Sequence, residues 1–106
     1  MADPVWMLVM FDLPTNTKSE RRQANTYRNL LKDHGFERVQ WSVYVKYYLN
    51  RTSSEFDVKV LSANIQPGGN VRILQVADSQ WANTLYYEGA EKKAPEPVPE
   101  QLSLFF

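Results

Sequence analysis

Residues 5–11 read VWMLVMF, an unbroken apolar run closed by Asp12-Leu13-Pro14. The run has the length of a strand, and the residues that close it are a turn signal. Successive side chains of a strand point to opposite faces. Val5, Met7, Val9 and Phe11 therefore share one face, and Trp6, Leu8 and Met10 share the other. Both sets are apolar, so both faces should be covered. Residues 17–33 carry a helical period instead. Ala24, Tyr27, Leu30 and Leu31 fall within an arc of roughly 120°, with Lys18, Arg21, Arg22, Arg28 and Lys32 on the opposite side. Thr17 and Glu20 fit the T-x-x-E capping box, in which side chains satisfy the free N–H groups of a helix start, and Gly35 is a natural stop.

Two extended segments are predicted on either side of Trp41, at 36–40 (FERVQ) and 42–48 (SVYVKYY). Residues 52–65 predict a second helix, with Thr52 and Glu55 as another capping box. Phe56, Val60, Leu61 and Ile65 are spaced for its buried face. Pro67-Gly68-Gly69 ends it; a strand at 70–76 and a short one at 84–87 follow. The order gives an α+β fold, the ferredoxin-like β-α-β-β-α-β sandwich, with both helices on one face of an antiparallel sheet. The other face would then stay open beneath Trp6, Leu8 and Met10. A homodimer packing sheet to sheet resolves the conflict. So would the chain's own C-terminal tail.

At 106 residues the chain is one domain. We place it at 1–88, with 89–106 as a Pro-rich linker and docking peptide. Pro95, Pro97 and Pro99 alternate there, and the chain ends in QLSLFF, an apolar end on a stiff spacer. The absence of cysteine excludes a disulfide scaffold, a thiolate metal site and thiol catalysis. A single histidine, His34, excludes a poly-His metal site within one chain. No apolar run approaches the ~20 residues of a membrane span, and no basic segment leads into a long apolar stretch, so the expected location is cytoplasmic. The net charge is zero, but residues 14–51 hold eight Lys/Arg against three Asp/Glu, a local +5. A basic half permits a polyanionic partner.

Asp12 directly follows the first strand. It reads as a turn-initiating residue before Leu13-Pro14 or as a ligand-facing carboxylate. One carboxylate is a poor Mg²⁺ site; two copies across a dimer axis would share a hydrated ion and suit phosphodiester hydrolysis. Lys18, Arg21, Arg22 and Arg28 form either a solvated helix face or a track for a nucleic-acid backbone, which Arg38, Lys46 and Arg51 would extend. His34, at the end of the first helix, is placed where the helix dipole favours a cation. Tyr44, Tyr47 and Tyr48 would pack the core or a dimer interface, or stack on bases. Gly68-Gly69 follows a proline, has no Lys-Ser/Thr after it, and reads as a turn rather than a phosphate loop.

Taken in order, Phe11-Asp12-Leu13-Pro14 after the first strand, the basic helix start (Lys18, Arg21, Arg22), and Gly35-Phe36 followed by Val39-Gln40-Trp41-Ser42-Val43-Tyr44 resemble the CRISPR-associated protein two family. The resemblance runs from about Trp6 to Tyr87. It implies a ferredoxin-like homodimer with two roles. One is a Mg²⁺-dependent endonuclease on RNA or DNA, its metal ligand and catalytic carboxylate falling on Asp12. The other is a bridge between integrase dimers in spacer acquisition, holding a double-stranded DNA to be inserted, with the basic helix along the backbone and C-terminal segments docked on the integrase subunit. The family's serine falls on Ser42, expected to be structural or near the site. Within the family hydrolysis is not uniform, so the bridge is the expected main role.

The end of the chain carries a separate resemblance. Gln101, Leu102, Leu104 and Phe105 are similar to the peptide by which bacterial proteins bind the replication sliding clamp. Docking on the integrase or on the dimer would use the same residues. Two other functions fit the fold: a toxin-like endoribonuclease using Asp12, or a sheet-based RNA-binding module with single-stranded RNA as ligand. The missing K/R-G-F/Y-G/A-F motif disfavours the second.

Overall fold

The computed structural model describes residues 3–100. Along the chain lie β1 (Val5–Asp12), α1 (Lys18–Asp33), β2 (Glu37–Gln40), β3 (Val43–Tyr48), a 3-10 turn (Thr52–Ser54) leading into α2 (Glu55–Ala63), β4 (Asn70–Ala77), α3 (Asp78–Ala82) and a small hairpin of β5 (Tyr86–Glu88) and β6 (Glu91–Lys93). The four-stranded sheet has the order β2-β3-β1-β4 and every neighbouring pair is antiparallel. This is the expected ferredoxin-like arrangement, with β1 central.

β1 is buried fully on one side and in part on the other, where Trp6 is buried and Leu8 and Met10 are half-buried. Val5, Met7, Val9 and Phe11 meet Tyr27 and Leu31 of α1, Leu61 of α2, and Phe36, Tyr44 and Tyr48 in one core. Each fully buried side chain of this kind contributes about 1.5–3 kcal/mol. On the other face, Trp6 joins Val45, Tyr47 and Trp81. Trp81, from α3, stacks on Trp6 with ring centroids 5.0 Å apart. Its indole N–H donates to the Glu96 carbonyl at 2.9 Å, and Val98 packs against the same cluster. Part of the stretch expected to be a poorly packing linker is thus a strap across the Trp6 half of the sheet. The other half stays open, and Leu74 and Leu85 are 49% and 70% exposed.

α1 starts and stops as its sequence dictates. Thr17 Oγ1 accepts from the Glu20 N–H and Glu20 Oε1 accepts from the Thr17 N–H, the reciprocal box. At the other end Gly35 takes φ +85°, and the Gly35 and Phe36 N–H groups donate to the Lys32 and Leu31 carbonyls. This is a Schellman motif whose apolar contact is Phe36 with Leu31, both in the core.

α2 departs from expectation twice. Its start has no Thr52–Glu55 box, because Asn50 Oδ1 accepts from the Ser53 N–H first and the chain enters through a 3-10 turn. Its buried face is also rotated by one residue. Phe56 is 67% exposed and Ile65 also reaches solvent, while Asp57 and Leu61 are buried. A carboxylate lies inside where Phe56 was expected, and its partners come from β3 and the end of α1.

Candidate nucleic-acid interface

Two groups of polar and charged side chains lie at opposite ends of β1. At its C-terminal end Asp12 is exposed and pairs in register with Asn70 of β4. Phe11, Asp12, Asn70, Met10 and Arg72 line a shallow hollow of about 230 Å³. Among the described residues no group of three or more His, Cys, Asp or Glu could hold a metal ion. Asp12 therefore offers a single carboxylate per chain, open to water.

The next turn leads into the basic end of α1, and its four candidate cations differ. Lys18 and Arg22 are exposed, and their side chains make no hydrogen bond or ion pair with any described residue. Arg21 folds back, donating to the carbonyls of Thr15 at 3.1 Å and Asn16 at 3.4 Å, and so ties the turn after Asp12 to the helix. Arg28 reaches away from the stripe. It donates to the Trp41 carbonyl at 2.6 Å and the Ser42 hydroxyl at 3.4 Å, and its guanidinium lies over the Phe11 ring at 5.1 Å. The Ser42 carbonyl accepts in turn from the Phe11 N–H at 3.1 Å. Arg28 and Ser42 thus hold the β2–β3 turn against the end of β1, the structural place expected for Ser42. The proposed extensions of the basic track divide likewise. Arg38 sits over the Trp41 ring, Arg51 pairs with Asp3 at 3.0 Å, and Lys46 points into the helix-covered face.

At the other end of β1 that lysine meets a buried carboxylate. Asp57 Oδ2 accepts from Lys46 Nζ at 2.8 Å and from the Tyr48 hydroxyl at 2.5 Å, while Oδ1 accepts from His34 Nδ1 at 2.9 Å. Lys46 also donates to the His34 carbonyl at 2.7 Å. Burial by itself would raise the Asp57 carboxyl, but the hydrogen bonds from Lys46, Tyr48 and His34 outweigh it and hold the group below its ordinary value. Burial, and then the hydrogen bond to Asp57, push the Tyr48 hydroxyl far up. Burial also raises Tyr27, to about 12; its hydroxyl donates to the Leu61 carbonyl at 3.0 Å. His34 is thus the C-cap of α1 and a partner of α2 at once. Tyr44, Tyr47 and Tyr48 are buried, the packing role rather than the base-stacking one. Asp57 did not stand out in the sequence, although a signal existed. Lys46 alternates with Tyr44 and Tyr48 on one strand face, so it must point at the core and needs an anion there.

With this geometry in hand, the sequence profile described as CRISPR associated protein Cas2 matches residues 5–84. The chain belongs to the CRISPR-associated Cas2 family. It is 35% identical over 101 residues to a CRISPR-associated endoribonuclease Cas2 of Paracidovorax avenae, covering 95% of this chain and 94% of that one. The corresponding protein of Flavobacterium psychrophilum is 32% identical, over 95% of this chain and 88% of its own. That of Streptococcus mutans is 36% identical over 78% of both. A crystal structure of a hypothetical protein from Thermus thermophilus shares the fold, with a TM-score of 0.58 and 24% identity over 91% of this chain and all of that one. In this Cas2-family chain the motif residues Asp12, Ser42 and the α1 cations all gather at one end of the sheet. The docking residues Gln101, Leu102, Leu104 and Phe105 lie outside the described residues. No helix among the described residues is long and apolar enough to cross a membrane.

Proposed function

We propose that this chain is the nucleic-acid-holding scaffold of CRISPR spacer acquisition, a cytoplasmic homodimer that bridges integrase subunits and carries the duplex to be inserted. The observation that carries this reading is the pair Lys18 and Arg22, exposed on a rigidly capped helix and without a side-chain partner among the described residues. Cations held this way are free to replace the counterions of a phosphate backbone. The open half of the second sheet face, at Leu74 and Leu85, is the apolar surface a second copy would cover. Charge reversal at Lys18 and Arg22 (Lys18→Glu with Arg22→Glu) is expected to weaken duplex binding about 30-fold near physiological salt. It should also flatten the salt dependence, by roughly one unit of slope for each phosphate that is no longer neutralised. Unchanged affinity in a titration of the full chain with a short duplex would remove the proposal's basis.

A second reading is favoured by the exposed carboxylate of Asp12 and by relatives that are named endoribonucleases. Mg²⁺ keeps much of its water and is bound by one or two carboxylates together with substrate phosphates, so a single Asp12 is a poor site alone and the two copies across a dimer would fit such an ion. A bound divalent ion would supply a water of lowered pKa and a polarised phosphate. Asp12 would hold the ion at the strand end, and the cations of α1 would align the strand. Asp12→Asn is expected to lower metal-dependent cleavage roughly a hundredfold while duplex binding and dimer elution stay as they are. Cleavage that survives this change places the ligand elsewhere.

A further inference from the structure

Trp41 has no role in the scaffold or in the metal site, yet it is the most exposed large apolar residue described, at 74%. It stands in the β2–β3 turn at the Asp12 end of the sheet. The turn is fixed on its other side: Arg28 grips the Trp41 carbonyl, and Ser42 is bonded to Phe11, the neighbour of Asp12. Two guanidiniums, Arg28 and Arg38, lie over its ring, each 5.2 Å from the centre, and the residue as a whole stays exposed.

We propose that Trp41 is a stacking platform for one unpaired nucleobase, with Arg38, which lies over the ring, turning out to a flanking phosphate while Arg28 keeps the turn in place. The proposal rests on the nucleic-acid reading above and adds to it that the bound strand is unpaired where it passes the Asp12 end. Three features select this occupant. An indole on a fixed turn offers a π-face at little entropic cost. The two guanidiniums give the surround a positive potential that suits an occupant carrying aromatic faces and regularly spaced negative charge. The same charges oppose a second copy docking there through its own Trp41, since four guanidiniums would converge. Bases inside a duplex are already stacked on each other, so an unpaired base is the one that can use the ring.

The test uses the full chain and three probes: a short oligothymidylate, an oligouridylate of equal length, and closed circular duplex DNA, which has no ends. Trp6 and Trp81 are buried, so quenching of exposed indole emission on binding reports Trp41. Trp41→Ala, which leaves the carbonyl held by Arg28 in place, is expected to weaken binding of the single strands about tenfold and to abolish the quenching, with less than about a twofold change on the closed duplex. Trp41→Phe should restore most of the loss, because a phenyl ring still stacks. The two single strands distinguish DNA from RNA as the source of the base. Wild-type affinity for both single strands in Trp41→Ala overturns the proposal. So does a loss that appears only together with a shift from dimer to monomer in light scattering, which would assign Trp41 to a contact between copies. The Lys18 and Arg22 reversal weakens all three probes if the scaffold reading holds, so failure of that reading and failure of the platform give different patterns.

Discussion

Asp57→Ala is expected to destabilise the fold by about 3 kcal/mol at neutral pH and to lower the melting temperature by roughly 15 °C. The carboxylate is 5% exposed and is the acceptor for three donors from β3 and the end of α1. Its removal leaves the Tyr48 hydroxyl buried without an acceptor and Lys46 with the His34 carbonyl alone. Lys46 and His34 keep some access to water, 29% and 23% of their side chains, which places the cost at the lower end of what breaking a buried pair usually takes. The pH dependence has a definite sign. The folded carboxyl titrates below its unfolded value of 3.8, so its contribution is complete above that pH and is lost as acid carries the protein down through the lower folded value. Urea unfolding of the wild type should therefore weaken below about pH 4, and the variant should lack that part of the acid limb. A midpoint change worth less than about 1 kcal/mol would mean that the cluster is solvated rather than structural.

Trp6→Ala is expected to cost more, about 4 kcal/mol, and to have a local signature. Trp6 stacks on Trp81, meets Tyr47 edge-on at 5.5 Å, and donates its indole N–H to Asp78 Oδ1 at 2.8 Å. These contacts are what fasten α3 to the sheet, and α3 in turn holds the strap through Trp81 and Glu96. The variant should both unfold at lower denaturant and expose residues 94–99 to protease before the rest of the domain. The helix-covered core lies on the opposite face of the sheet and should keep its order until global unfolding. Equal cleavage rates in wild type and variant would show that the strap is not anchored through Trp6.

The legible parts of this protein are those settled over a few residues. The β1 run shows its two faces by simple alternation; the Val5 face proved buried, and the Trp6 face proved covered at Trp6 and half-open at Leu8 and Met10. Thr17 and Glu20 signalled a cap that formed, and Gly35 signalled a stop that formed. Asp12 was singled out because a carboxylate ending an apolar strand stands out, and it proved exposed at the end of β1. The misread parts depend on side chains that arrive from far along the chain. α2 turned by the 100° between Phe56 and Asp57 because Lys46, Tyr48 and His34, from β3 and the end of α1, wait for an anion. Arg28 looked like part of a solvated stripe, yet it lies only about 40° around the helix from buried Ala24, close enough to reach Trp41. The strap looked like a linker because nothing in Pro95-Glu96-Pro97-Val98 shows that an indole from α3 will bond its backbone.

The sequence by itself determined the order of elements from β1 to β4, the caps of α1, the two apolar faces of β1 and the acidic turn that follows it. Each follows from contacts within a turn of helix or along one strand, where spacing is fixed by backbone geometry. α3 and the β5–β6 hairpin were not read from the sequence. Only the tertiary structure decided which cations remain free for a phosphate backbone, which way α2 faces and what covers the Trp6 side of the sheet. Those outcomes depend on partners many residues apart. The free energy of satisfying a buried charge or closing an apolar face outweighs the local preference of any one segment.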